Sequence, residues 1–295
     1  MAERCKRDLA MTLVDKNLID KVLENIKSGD HGISTGLTEL DSALGGGFRD
    51  GYLYILGGRP AMGKTSLALN ILINALNKGI KVTYFSLEMC KEKIIERLLY
   101  MMAHVSFHRV VCGNISDDDW DRLIETAAKI TDSGLIVDDT PGISVDEISR
   151  KKASEPFYKD SQLIIIDYVQ LLNAHICKED NDFNSRGQEL DYIARELNNL
   201  SRNENIPILA LSQLSRACER RDDHHPILSD LKESSSIEEM ADVVMFLYRD
   251  EYYHVDTELK GIAEILVAKN KYGRRCYTEA VFISEYMKFV NKMKT

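Results

Sequence analysis

The stretch Gly58-Arg59-Pro60-Ala61-Met62-Gly63-Lys64-Thr65 restricts this chain more than any other. It has the form G-x-x-x-x-G-K-T, follows the apolar run Tyr52-Leu53-Tyr54-Ile55-Leu56, and opens into Ser66-Leu67-Ala68-Leu69-Asn70-Ile71-Leu72. A buried strand, a glycine-bounded loop and a helix in that order make a phosphate cradle. Gly58 and Gly63 let the backbone curl so that N–H groups turn toward phosphate oxygens. The helix adds the positive end of its dipole. Lys64 is expected to reach the β- and γ-phosphates, and the Thr65 hydroxyl to hold Mg²⁺. The chain therefore builds a nucleoside-triphosphate site, with Gly58, Arg59, Pro60, Ala61, Met62, Gly63, Lys64, Thr65 and Ser66 around the phosphates.

A length of 295 residues allows one large domain, or one domain with a small appendage. No apolar run approaches the roughly 18 residues of a membrane span, and the charged residues from Glu3 onward exclude a signal peptide. The six cysteines are scattered without a C-x-x-C pair, which argues for a reducing, cytoplasmic setting and against a zinc site or disulfide framework. The seven histidines show no ligand spacing, and His224-His225 reads as a solvated pair in a polar loop. Net charge is −9, so contact with nucleic acid would have to come from local basic or backbone-amide patches.

Along the chain, Val14, Leu18, Val22 and Ile26 recur at a spacing of four, with Ile19 and Leu23 beside them: one apolar helical stripe. Ser28 to Gly32 ends it as a polar hinge. The stripe either folds back on its own domain or docks on a neighbouring subunit. Leu37, Leu40 and Leu44 share a second helical face, closed by Gly45-Gly46-Gly47. After the cradle, strand patterns at 82–86, 135–137, 163–167 and 208–213 alternate with helix patterns at 91–104, 117–130 and about 186–202. A capping box, Ser144-Val145-Asp146-Glu147, opens one more helix. In the 117–130 helix Trp120, Leu123, Ile124 and Ala127 are expected to face inward. From Val243 to Ile283 the pattern is strand after strand. Such a chain folds as α/β, a mostly parallel sheet flanked by helices with antiparallel strands at the C-terminal edge. A first segment of 1–32 is expected as helix and hinge, and 33–295 as the main domain.

Ligands of such sheets sit at the carboxyl ends of the strands. Glu88, Asp167 and Gln213 end predicted strands or lie just past them. Asp167, after four apolar residues, suits the carboxylate that supports Mg²⁺. Glu88 is placed to orient and deprotonate an attacking water, and Gln213 to sense the γ-phosphate. Asp138-Asp139 reads as turn chemistry before Pro141-Gly142.

Ser34-Thr35-Gly36…Leu40-Asp41, Gly58 to Thr65, Ser86-Leu87-Glu88-Met89, Ile165-Ile166-Asp167-Tyr168, Leu211-Ser212-Gln213-Leu214 and Ser229-Asp230-Leu231-Lys232-Glu233-Ser234 occur in this order. Together they resemble the RecA-like C-terminal motor domain of the DnaB-type hexameric replicative helicases, over about residues 30–285. The resemblance implies a homo-hexameric ring, ATP and Mg²⁺ between subunits, single-stranded DNA of a replication fork in the channel, 5′→3′ movement, and a primase or helicase loader as partner. The N-terminal stripe matches that family's linker helix, which docks on the next subunit. Residues 1–11 leave no room for the family's collar domain, so the chain is either a piece of a longer protein or a short relative. By matching positions, Glu88 is the catalytic carboxylate, Gln213 couples nucleotide to DNA, and Lys232, Glu233 and Ser235 belong to the loop along the DNA backbone. The family's finger, a lysine and an arginine two apart reaching into the neighbour's site, falls on Lys269 and Lys271. Lysine lacks the planar fork of arginine, and losing a finger costs about 10³-fold or more in related systems. Either Lys271 suffices, or Arg274 or Arg275 takes the role, or hydrolysis is slow. Ser235 also departs from the family's usual glycine.

Two further readings compete with a helicase motor. A RecA-like ATPase that remodels DNA or protein without unwinding duplex, such as a recombination mediator, shares the Ser-Thr-Gly…Leu-Asp entry and the cradle. A non-catalytic nucleotide-binding ring subunit would fit the lysine in place of arginine. A small-molecule kinase would need an arginine-bearing lid and an acceptor pocket, and the chain shows neither.

Overall fold

The computed structural model describes residues 19, 20, 23, 24, 27, 32–174, 183, 185–231 and 235–293. The chain divides into two units, residues 1–31 and 32–295. In the first, the described residues are helical, with Ile19 and Leu23 48% and 55% exposed.

The second unit runs α1 (Thr38–Ala43), β1 (Leu53–Gly58), α2 (Lys64–Asn77), β2 (Val82–Ser86), α3 (Lys91–Ala103), α4 (Phe107–Val111) and α5 (Asp117–Thr131). It continues with β3 (Ile136–Asp138), α6 (Val145–Ser154), α7 (Pro156–Lys159), β4 (Leu163–Asp167), α8 (Arg186–Glu204) and β5 (Ile208–Gln213). Last come α9 (Ser235–Met240), β6 (Val243–Tyr248), β7 (Ile262–Asn270), β8 (Cys276–Ile283) and β9 (Lys288–Asn291). The nine strands form one sheet in the order β3-β2-β4-β5-β1-β6-β7-β8-β9. Pairing is parallel from β3 to β6 and antiparallel from β6 to β9. The cradle strand β1 is central, between β5 and β6.

Both faces of the parallel part are covered, which is why its strands are mostly apolar. Alternate residues divide between two cores. Tyr54, Leu56, Tyr84, Leu163, Ile165 and Leu211 pack with α1, α2 and α3. Ile55, Phe85, Ile164, Ile166 and Ala210 pack with α6, α8 and α9. The capping box of α6 is present in full, Ser144 Oγ accepting from Glu147 N and the Glu147 carboxylate from Ser144 N.

Three expectations need correction. β6 belongs to the parallel part, because the chain returns from β5 by a crossover that carries α9 and re-enters the sheet beside β1. The extra strand β9 closes the antiparallel edge. In α5 Leu123 is buried as expected, but its buried companions are Asp119 and Thr126, while Trp120 and Ile124 are 57% and 54% exposed and Ala127 is exposed too. Asp119 can turn inward because its carboxylate is satisfied by Ser116 N in the capping box and by the Arg109 and Arg122 guanidiniums.

Candidate functional site

The cradle forms where β1 hands over to α2. Gly63 caps the helix at φ 97°, a left-handed conformation that favours glycine. Gly58 serves differently: a Cβ there would crowd Lys64 Cγ at 3.1 Å and the Leu247 carbonyl at 3.3 Å. Lys64 lies back across the loop, its Nζ donating to Gly58 O at 2.7 Å and Arg59 O at 3.1 Å. Burial pulls the Lys64 ammonium down to about 8, against the favourable charges of Asp167 and Glu88. Arg59 offers its backbone to the loop, while its side chain leaves it, Nη1 donating to Leu214 O at 2.7 Å and Nη2 pairing with Glu219 at 2.8 Å.

Facing the cradle are the ends of β2, β4 and β5. Asp167 closes β4 and is 3% exposed. Thr65 Oγ1 and Tyr84 OH each donate to its Oδ2 at 2.7 Å. Two residues past β2, Glu88 sits exposed on a turn held by Ser86 Oγ donating to Met89 O and by Leu87 N donating to Asp167 O at 2.8 Å. Gln213 ends β5 and is exposed; Gln170 braces it, accepting from Gln213 N at 3.2 Å and donating to Gln213 O at 3.1 Å. Lys64, Thr65, Asp167, Glu88 and Gln213 line one cavity of about 360 Å³, together with Pro60, Ala61, Gly63 and Ser66. The adjoining oxygens of Thr65 and Asp167 are the hard donors that Mg²⁺ prefers.

Arg97 of α3, Arg249 just past β6 and Phe282 of β8 also line this cavity, and sequence reasoning missed them. Arg249 pairs with Glu251 and lies over the Phe282 ring, 4.0 Å from its centroid. The strand-end rule that found Asp167 would have found Arg249 had β6 been recognised as parallel. Gln170 and Tyr84 were missed as well, since each acts through another residue.

Lys269 and Lys271 lie at the opposite end of the sheet, where Asn270 registers with Val243 at the start of β6. Lys269 Nζ donates to the Glu238 and Glu239 carbonyls, and its pKa is lowered by burial and by Lys271. Lys271 pairs with the buried Asp242 at 3.0 Å. Within one chain neither joins the cradle. Lys232 and Glu233 fall outside the described residues, and Ser235 opens α9.

The Ser34-Thr35-Gly36…Asp41 motif is a clasp rather than part of the cavity. Asp41 accepts from Ser34 Oγ at 2.6 Å and from Thr35 N and Oγ1 at 2.7 Å, fixing the entry to α1. Asp138 does make the expected turn, accepting from Thr140 N and Oγ1, and also takes Lys151 and Tyr158. His224 and His225 are not simply solvated. They stack on Tyr253 and Tyr248 at centroid distances of 4.3 and 4.0 Å, and His225 Nε2 meets Glu264 at 3.1 Å. Among the described residues no group of histidine, cysteine and carboxylate side chains could hold a metal ion, and no helix is long and apolar enough to cross a membrane.

A match to the family of the DnaB-like helicase C terminal domain spans residues 32–291. The chain is 42% identical over 270 residues to the replicative DNA helicase DnaC of Bacillus subtilis (strain 168), covering 91% of this chain and 58% of that relative. It thus spans little more than half the length of the curated relatives it matches. A solved structure described as an ATPase domain is similar with a TM-score of 0.85 at 33% identity, over 94% of this chain and 98% of the other. A structure described as a DnaB-like replicative helicase and its interactions with primase also matches with a TM-score of 0.85 at 33% identity, over 95% of this chain and 69% of the other.

Proposed function

The chain belongs to the DnaB-like helicase C-terminal domain family, and from that premise we propose that it is the ATP-hydrolysing motor of a replicative DNA helicase. In this reading a homo-hexameric ring moves 5′→3′ on single-stranded DNA at a replication fork and unwinds the duplex ahead. Residues 1–32 act as linker helix and hinge, and 33–295 as the motor. The observation that carries the reading is the convergence of Lys64, Thr65, Asp167, Glu88 and Gln213 on one cavity.

Lys64 exchanges the Gly58 and Arg59 carbonyls for oxygens of the β- and γ-phosphates. Thr65 and Asp167 would hold Mg²⁺, which neutralises charge on the phosphates when bound. Glu88, exposed on its braced turn, orients and deprotonates the water. Gln213 reads the γ-phosphate. From it the chain runs through Leu214, whose carbonyl Arg59 of the cradle holds, toward Lys232, Glu233 and Ser235 on the DNA side. A loop of this kind repeated around one axis gives a binding channel even to a chain of net charge −9. Lys269 and Lys271 serve the neighbour's site; to do so Lys271 exchanges Asp242 for phosphate.

The ring reading is supported by a groove of about 600 Å³ between α3 and α5, lined by Ile95, Leu99, Val110, Trp120 and Ile124. It suits the apolar stripe of residues 12–27 from a second copy, in line with the exposure of Ile19 and Leu23. A primase or loader is the expected further partner. The recombination-type alternative is not favoured, since the family that matches is of DnaB-like helicases and the named relative is a replicative DNA helicase.

The test is ATP turnover with and without single-stranded DNA, followed by unwinding of a forked duplex. DNA-stimulated turnover and unwinding are expected, and Lys64→Ala should abolish nucleotide binding or turnover. Normal turnover in that variant would refute the site.

A further inference from the structure

Tyr84 has no task in the chemistry described above, yet its hydroxyl ends on the carboxylate at the centre of it. The side chain is fully buried, at 0% exposure. β2 and β4 run parallel with Ser86 opposite Asp167 and Tyr84 opposite Ile165. Because side chains alternate along a strand, Tyr84 and Asp167 point to the same face of the sheet, the one covered by α2. They are diagonal cross-strand neighbours, a separation that a tyrosine ring spans. Its strand neighbours on this face, Val82, Leu163 and Ile165, are aliphatic. A hydroxyl buried among them is costly unless it has a partner. Here the partner is Asp167 Oδ2, at 2.7 Å, and Thr65 Oγ1 donates to the same oxygen at 2.7 Å from α2. With both donors on Oδ2, Oδ1 has no hydrogen-bond partner among the described residues.

We propose that Tyr84 is a positioning residue for the metal-supporting carboxylate: its hydroxyl and that of Thr65 clamp Oδ2 of Asp167 from two elements and leave Oδ1 for the divalent cation that accompanies the nucleotide. The proposal rests on the nucleotide-site reading above. A carboxylate already fixed in one orientation loses less freedom when it engages a cation. Removing the outer partner of such a group typically lowers metal affinity by about 10- to 100-fold.

The experiment compares the native chain with Tyr84→Phe, which keeps the ring and removes only the hydroxyl. Free Mn²⁺, standing in for Mg²⁺, is followed by electron paramagnetic resonance in saturating ADP. Tyr84→Phe should bind Mn²⁺ about tenfold more weakly, with ADP affinity measured without metal staying within about twofold of the native chain. That split separates positioning from general loosening, which would weaken both. Equal Mn²⁺ affinity in a folded variant overturns the proposal alone. Absence of Mn²⁺ binding in both proteins sinks the nucleotide-site reading and the proposal with it. Should Tyr84→Phe fail to fold, 3-fluorotyrosine placed at position 84 answers the same question: its ¹⁹F resonance should shift when Mg²⁺ is added to the ADP-bound protein, and a stationary resonance overturns the proposal.

Discussion

Lys64 shows how much a single group depends on its surroundings. In water its ammonium would hold its proton to about pH 10.5, but burial brings it down to about 8. An anionic phosphate favours the charged form, so nucleotide binding keeps its full strength below that value and weakens as pH rises through it. The dissociation constant for ADP should therefore be flat just below pH 8 and rise above it, toward about tenfold per pH unit. Titrations by isothermal calorimetry between pH 7.5 and 9.5 would show the break. Lys64→Arg should remove it, because a guanidinium does not titrate in this range; a break that survives in the arginine variant would assign the effect to another group. The motif named Lys64 from spacing alone, but the lowered pKa follows from burial that no spacing reports.

At the scale of elements, the same apolar letters can face either way. In α5 both Trp120-Ile124-Ala127 and Asp119-Leu123-Thr126 follow helical spacing, and hydrophobicity favours the first as the buried side. The fold buries the second, because Arg109 and Arg122 satisfy Asp119 and because α3 leaves the tryptophan side open. The approach to α1 is decided by polar groups instead. Asp41 receives three hydrogen bonds from Ser34 and Thr35, and Thr35 is fully buried. Asp41→Ala leaves those donors unpaired and should cost about 2–4 kcal/mol, read as a fall in the urea midpoint with the slope unchanged. A loss below about 0.5 kcal/mol would mean that water replaces the carboxylate and that the clasp does not hold this element.

For the whole molecule, a single chain separates the parts of its proposed mechanism. The cradle occupies the carboxyl ends of the parallel strands, while Lys269 and Lys271 occupy the other end of the sheet. A head-to-tail ring brings the two ends together between neighbours. If the groove between α3 and α5 is part of that assembly, Trp120→Glu should abolish higher-mass species in multi-angle light scattering with ATP and single-stranded DNA. The melting temperature of the separate subunit should shift little, since Trp120 is 57% exposed. An unchanged mass distribution would place the subunit contact elsewhere.

The sequence by itself determined the strand–loop–helix cradle, the mostly parallel α/β sheet and the strand-end positions of Asp167, Glu88 and Gln213. These follow from local chemistry: glycine where backbone or side chain must pass closely, apolar runs where both faces are covered, polar residues where strands end. Tertiary structure decided that β6 joins the parallel part and that Arg249 lines the cavity. It also set the outward face of Trp120, the stacking of His224 and His225 on tyrosines, and the reach of Tyr84 to Asp167. Each of these depends on which elements lie side by side, and periodicity along one element carries no information about its neighbour across the sheet.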